Sequence, residues 1–360
     1  MSDDTNTKDR WFRDMMIYGP GRNPLWLCVL VGVLVAAILP VLAQFKKRTI
    51  PDKTLVVYCA QDQDFAEPLL KQFELETGVR VRPVFDSEAV KTVGLANRLL
   101  AEREHPQADV FWGNEELRTR QLAARDVFRA TNGWAAFGYR SRRLVVNTNL
   151  VSLATAENPS PNLRPPSPHP MGRGQGAGTR APRSLLELTN AAWRGKIALA
   201  YPMFGTTATH FLALRQHWGG SNWLAWCRAL AANQPFLEEG NSLVVKRVAR
   251  GEALVGLTDS DDIAAGQREG LPVAALPLTA ELLLIPNTVA VTRTGPHPEN
   301  AQRFLDWLRR LEVVRQLANA GALEGDSAAE VAQPTLKPDW PALLRDLDAA
   351  TAQLKGVFLR

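Results

Sequence analysis

A chain of 360 residues is long enough for two lobes of ordinary domain size, each with its own core. Hydrophobic residues make up 46% and charged residues 22%, a balance that excludes a chain disordered throughout. The net charge of +5 comes from scattered residues with no basic stripe interleaved with aromatics, which argues against nucleic acid as a partner.

The first feature is the uncharged run Leu25–Ala43, LWLCVLVGVLVAAILPVLA, about the length that crosses a bilayer core. It reads as a membrane anchor over 25–44 or as a signal peptide cut after Val41-Leu42-Ala43. The long apolar run and the 24-residue tail before it favour the anchor. Four basic residues precede the run (Lys8, Arg10, Arg13, Arg22) and four follow it (Lys46, Lys47, Arg48, Lys53), so charge bias assigns no orientation. Of the three cysteines, Cys28 falls in this run; Cys59 and Cys227 form no CxxC, so a zinc knuckle is not supported.

Thr54–Tyr58 reads as a buried strand. A helix follows, with Phe65, Leu69, Leu70 and Phe73 at helical spacing, Asp64 as a candidate cap and Gly78 as the stop. Val79–Phe85 is the next strand, Ala89–Glu104 the next helix and Ala108–Trp112 a third strand. This strand–helix alternation predicts a parallel, doubly wound sheet with ligands beyond the carboxyl ends of its strands. Arg142–Thr148 is a further strand. A Pro- and Gly-rich stretch over 152–183 then reads as a disordered insertion. The pattern resumes with strands at Lys196–Ala200, Ala253–Leu257 and Pro286–Thr292. Helices are expected at Thr206–Trp218, Asn222–Ala232, Ser242–Arg250, Asn300–Leu311 and Ala342–Leu354.

The five histidines fall in unrelated contexts, and there is no HExxH, GxSxG elbow, P-loop or GxGxxG after a strand. Nothing nominates a nucleophile, and an enzyme is not expected. The polar residues that stand out lie at strand ends and helix starts. Gly205, Thr206 and Thr207 open a helix whose first-turn N–H groups suit an anion, or which threonine simply caps. Asn241 and Ser242, opening the next helix, support the same two readings. Asp259, Asp261 and Asp262 lie directly after the strand ALVGL. Three carboxylates so close repel one another; a cation would relieve that, and a capped, solvated loop is the plainer reading.

The segments TLVVYCAQDQDFAEPLLKQFELETGVRV, PQADVFWGNEE, WRGKIALAYPMFGTTATHFLAL, GNSLVVKRVARGEALVGLTDSDD and IPNTVAVTRTGPHPENAQRFLDWL occur in this order. In that order the chain resembles the extracellular solute-binding proteins of ABC importers, in the branch of ferric-ion-binding proteins, over about residues 54 to 325. The resemblance implies an α/β, two-lobed type II periplasmic-binding-protein fold, which the anchor reading of the apolar run sets behind an N-terminal transmembrane helix. The implied lobes are 52–141 with 290–345, and 142–289, followed by a C-terminal helix over 346–360. It implies hinge closure on ferric iron, another metal or a small charged solute, delivery to an ABC permease, and a monomer. Residues 1–24 would then be cytoplasmic and the binding domain periplasmic or extracellular.

As ligand-binding positions the resemblance implies Asp62 (a histidine in ferric-binding relatives), Asn114 or Glu115, and Gly205, Thr206 and Thr207 for an anion accompanying the iron. It places Asp261 and Asp262, as candidate metal ligands, where those relatives carry a tyrosine pair. The alternative is a membrane-tethered ligand-sensing domain acting on a partner protein.

Overall fold

The computed structural model describes residues 53–86, 91–153, 179–277, 279–331 and 334–359, and the chain from Lys53 onward forms one compact unit. The apolar run Leu25–Ala43 lies outside the described residues; among these, no helix is long and apolar enough to cross a membrane.

The opening elements are β1 (Thr54–Cys59), α1 (Gln63–Thr77), β2 (Arg80–Phe85), α2 (Lys91–Ala101), β3 (Val110–Gly113), α3 (Glu116–Ala123) and β4 (Trp134–Asn147). Two short strands follow, β5 (Val151–Ser152) and β6 (Thr179–Arg180), then β7 (Ile197–Ala200), α4 (Gly205–Trp218), α5 (Gly220–Ala232) and β8 (Phe236–Glu238). The chain continues through α6 (Asn241–Ala249), β9 (Val255–Asp259), α7 (Ser260–Arg268), β10 (Val273–Ala275) and β11 (Leu284–Val291). It ends with α8 (Pro298–Leu308), α9 (Leu311–Asn319) and α10 (Trp340–Phe358).

One mixed sheet runs in the order β2-β1-β3-β11-β4-β9-β7-β8, with β10 beside β4. Its first wing is parallel at β2, β1 and β3, and its second is parallel at β9, β7 and β8. Strands buried on both faces need apolar residues at successive positions. In β1, Leu55, Val57 and Cys59 enter one core with α1, α8 and α9, while Tyr58 faces the other with Leu95 and Leu99 of α2. The second wing repeats this: Leu144, Val146, Ile197 and Leu199 pack on α4, α5 and α10, and Val145 and Ala198 pack on α6 and α7.

Strand β4 joins the wings. It pairs with β11 as far as Ser141 and with β9 from Arg142 onward. The sequence pattern shows only its second half, because Trp134–Ser141 (WAAFGYRS) neither alternates cleanly nor forms an apolar run. A register shift at Pro286/Asn287 leaves Gly138 unpaired with β11, as in a β-bulge. The backbone N–H groups of Gly138 and Tyr139 instead donate to the carbonyls of Asp326 and Gly325, and Glu324 N–H donates to the Tyr139 carbonyl. This third segment then leads across to α10 on the second wing. Gly138 has φ 54°, and a Cβ there would run into Leu323 and come within 3.1 Å of the Gly325 carbonyl oxygen. Gly138→Ala should therefore lower stability by about 1–3 kcal/mol in urea unfolding.

Several elements differ from the sequence reading. The first helix starts at Gln63 with Asp62 rather than Asp64 in the cap position, and Pro68 lies inside it. Helix α2 is shorter than expected, and α3 and α9 were not anticipated. Both ends of the Pro/Gly-rich stretch belong to the fold, since β5 and β6 form a parallel pair and Ser184 caps a 3-10 turn. The rest of that stretch, 154–178, lies outside the described residues.

Candidate functional site

Two arginines on one face of β4 organise the centre of the sheet. Arg140 and Arg142 are two residues apart, so the strand's period sends them the same way, and Arg142 stands directly opposite Asp259 of β9. Its guanidinium donates to Asp259 Oδ1 at 2.6 Å, Asn241 Oδ1 at 2.9 Å and the Leu257 carbonyl at 3.1 Å. The other Asp259 oxygen accepts from the Thr206 hydroxyl at 2.8 Å and from Asn241 Nδ2 at 3.1 Å. Arg140 ion-pairs with Asp261, lies 3.4 Å from Asp259 and donates to the Asn114 carbonyl at 3.0 Å. Both arginine side chains are buried: 4% of Arg140 and none of Arg142 is exposed.

Burial opposes these charges, and their neighbours decide which survive. At Asp259 burial is outweighed by Arg142 and Arg140, which hold the carboxyl below its usual range. Arg140 is likewise buried, yet Asp261, Asp259, Asp62 and Asp262 keep it firmly protonated. Asp261 goes the other way: burial, with the charges of Asp259 and Asp62, outweighs Arg140 and pushes it up to about 7. Asp262 is raised well above its usual value by burial, then by Asp261, Asp62 and Asp259.

These shifts give a pH prediction with a definite sign. The folded state keeps a proton on Asp261 that the unfolded chain releases near 3.8, so the native form binds more protons between about 4 and 7. That contribution to stability is full below the lower value and is lost as pH rises through the upper one. Across this window Asp261 lowers the unfolding free energy as pH rises, against the rise that neutral His210 contributes, so Asp261→Asn should shift the slope of stability against pH upward, read from urea midpoints at successive pH values.

The remaining expected site residues fall in three groups. Asp62, Ser242 and Asp262 line a cavity of about 480 Å³ between the start of α1 and helices α6 and α7. Asn114, Thr206, Asn241, Asp259 and Asp261 belong to the buried arginine network. Gly205, Thr207 and Glu115 have local roles. Gly205 makes the positive-φ turn into α4, and Thr207 is buried. Glu115 caps α3 by accepting from the N–H groups of Leu117 (2.7 Å) and Arg118 (2.9 Å), and accepts from Thr209 of α4 at 3.0 Å. The Thr206 hydroxyl thus faces an internal carboxylate. The helix start proposed for an anion from outside already meets Asp259.

Sequence reasoning missed Arg140, Arg142 and His210. The available signal was Arg-x-Arg at strand spacing in YRSRRLVVN, a costly pattern for a buried strand unless acids face it. His210 Nε2 bonds to the Glu281 carbonyl at 2.7 Å, and burial, then Arg142, lowers the imidazole to about 3, so it is neutral.

A sheet of two parallel wings with helices on both faces, joined by crossing strands beside a cavity, defines the type II periplasmic-binding-protein class. The family model for bacterial extracellular solute-binding proteins matches residues 55–322, and the chain belongs to that family, one of binding proteins rather than enzymes. Iron-bound HitA from Pseudomonas aeruginosa aligns with a TM-score of 0.65 at 20% identity, covering 84% of this chain and 99% of that one. AfuA from Actinobacillus pleuropneumoniae with fructose-6-phosphate gives 0.67 at 18% identity, covering 85% and 98%. The Trichodesmium protein with iron and citrate gives 0.61 at 16% identity, covering 85% and 100%. At these identities the likeness is one of fold. No curated protein sequence matches the chain.

Proposed function

We propose that this chain is the substrate-binding component of an ABC importer, closing over a small charged solute and delivering it to the importer's permease. Closure would bring together the two sheet wings, hinged where β4 changes partner between Ser141 and Arg142. The supporting observation is the 480 Å³ cavity, walled by α1 from the first wing and by α6 and α7 from the second. In this reading 52–141 with 290–339 form one lobe and 142–289 the other, which α10 joins through its packing on the second wing. Residues 25–44 tether a monomer to the cytoplasmic membrane, with 1–24 inside and the binding lobes outside.

Of the solved neighbours, HitA carries iron and AfuA a sugar phosphate, so the ligand class must come from this chain's own cleft. The test is thermal unfolding with and without ferric citrate, divalent metals, phosphate, sugar phosphates and organic ammonium salts. A true ligand at a hundred times its dissociation constant should add about 2.7 kcal/mol, several degrees in midpoint. X-ray scattering should show compaction with the same compound. A protein that neither compacts nor gains stability with any of them would overturn the importer reading.

A further inference from the structure

Resting on the solute-binding reading above, we infer that the solute held in this cleft is an organic ammonium ion rather than a metal ion. One oxygen from each of Asp259, Asp261 and Asp262 lies within 4.8 Å of the others, which at first sight suits a cation. Two of the three carboxylates, however, are engaged by guanidinium groups. Asp259 accepts from Arg142, Thr206 and Asn241, and Asp261 from Arg140. A hard metal ion needs several oxygens at contact distance, and here it would sit beside two fixed positive charges. Among the described residues no tyrosine lines the cavity to supply phenolate, and Tyr58 is turned to Glu102 at 2.8 Å.

The space itself suits a molecule. About 480 Å³ is many times the ~30 Å³ of a water and falls among organic-ligand clefts of roughly 300–1,000 Å³. Among the described residues its walls carry four carboxylates, Asp62, Asp64, Asp262 and Glu269, against the two cations Lys246 and Arg268. Phe65, Val245 and Leu271 supply apolar surface for a carbon skeleton. The Phe65 ring already attracts a cation, since the Arg268 guanidinium lies 5.4 Å from its centre while donating to the Ala320 carbonyl.

Behind this wall one buried carboxyl is only half engaged. Asp261 is 2% exposed, and its Oδ1 has no hydrogen-bond partner among the described residues. Asp262, at the cavity surface, meets the like charges of Asp261, Asp62 and Asp259 and the single guanidinium of Arg140. An ammonium group entering beside Asp62 and Asp262 would favour the ionised form of Asp262 and pair with it. Its carbon skeleton would then lie against Phe65.

The test is isothermal titration of the full chain in detergent with choline and 1,4-diaminobutane, beside zinc, ferric citrate, phosphate and fructose 6-phosphate. At least one ammonium compound should bind. Asp262→Asn should weaken it by about tenfold or more, the loss expected of one charge-assisted contact. Phe65→Leu should weaken it several-fold, with the thermal midpoint held or raised in both variants. Binding of a metal or an anion with both ammonium compounds silent would sink this inference and leave the solute-binding reading standing. Silence to every probe in folded protein would remove both. Ammonium binding unchanged by Asp262→Asn would place the cation elsewhere and overturn the assigned site.

Discussion

Replacing Arg142 with methionine should lower the unfolding free energy by about 3–5 kcal/mol, among the largest effects of any single substitution in the sheet. The guanidinium is fully buried and its partner Asp259 is 1% exposed, so removing it leaves that buried charge with only Arg140, 3.4 Å away, to offset it. Thr206 and Asn241 still donate to Asp259, which caps the loss but does not neutralise the carboxylate. Without Arg142 the Asp259 carboxyl should rise and take up a proton in acid. The deficit should therefore grow from pH 5 to pH 8. Adding Asp259→Asn to the Arg142→Met variant should recover part of the loss, since paired removal leaves neither member of this ion pair without the other. Urea unfolding of the four members of this double-mutant cycle measures the coupling directly. A loss below about 1 kcal/mol for the single variant would mean that water reaches Asp259 and that the pair is not a buried one.

Deleting the chain beyond Asp339 should abolish cooperative folding of the second wing. Helix α10 sends Leu343, Leu347, Leu354 and Phe358 into the core shared with α4 and α5, all four 9% exposed or less. At about 1.5–3 kcal/mol for each buried apolar side chain, the helix contributes on the order of 10 kcal/mol, comparable to the whole stability of an ordinary domain. Two ring contacts depend on this packing: Phe211 of α4 lies 6.1 Å from Phe358 and 5.3 Å from Trp226. Leu354→Ala is the milder control and should cost about 2–5 kcal/mol while leaving a folded protein. Circular dichroism and tryptophan fluorescence across a denaturant series separate the two outcomes. A truncated chain that still unfolds in one sharp transition would show that α10 merely decorates the surface.

The parallel wings were legible because their strands are short, apolar on both faces and punctuated by helices. TLVVY and KIALA both became strands buried on both faces. Less legible was the centre of the sheet, where β4 changes partner and local rules weaken. Its first half contains a bulged glycine and Arg140, Arg142 opens its second half, and nothing local reveals that Asp259 and Asp261 lie across from the two arginines. Arg140 is 119 residues from Asp259 and Arg142 is 117 residues from it, so only the folded topology shows that these charges cancel. The acidic run after ALVGL was visible; its division into buried pairs and one carboxylate at a cavity wall was not. The helix start at Gly205 shows the same limit, since the group that meets Thr206 comes from β9 rather than from solvent.

The crossing strands also bear on capture kinetics. Because β4 runs without a break from one wing to the other, the two walls of the cavity are joined by a linker of almost no length. Short tethers of this kind hold their ends at effective concentrations of millimolar or more, so the second wall meets a ligand already resting on the first without any further diffusive search. The entropy of bringing the walls together was met when the chain folded. What remains for each capture event is chiefly the immobilisation of the solute itself, and the dwell time of the closed state then reports the strength of the contacts made across the cavity.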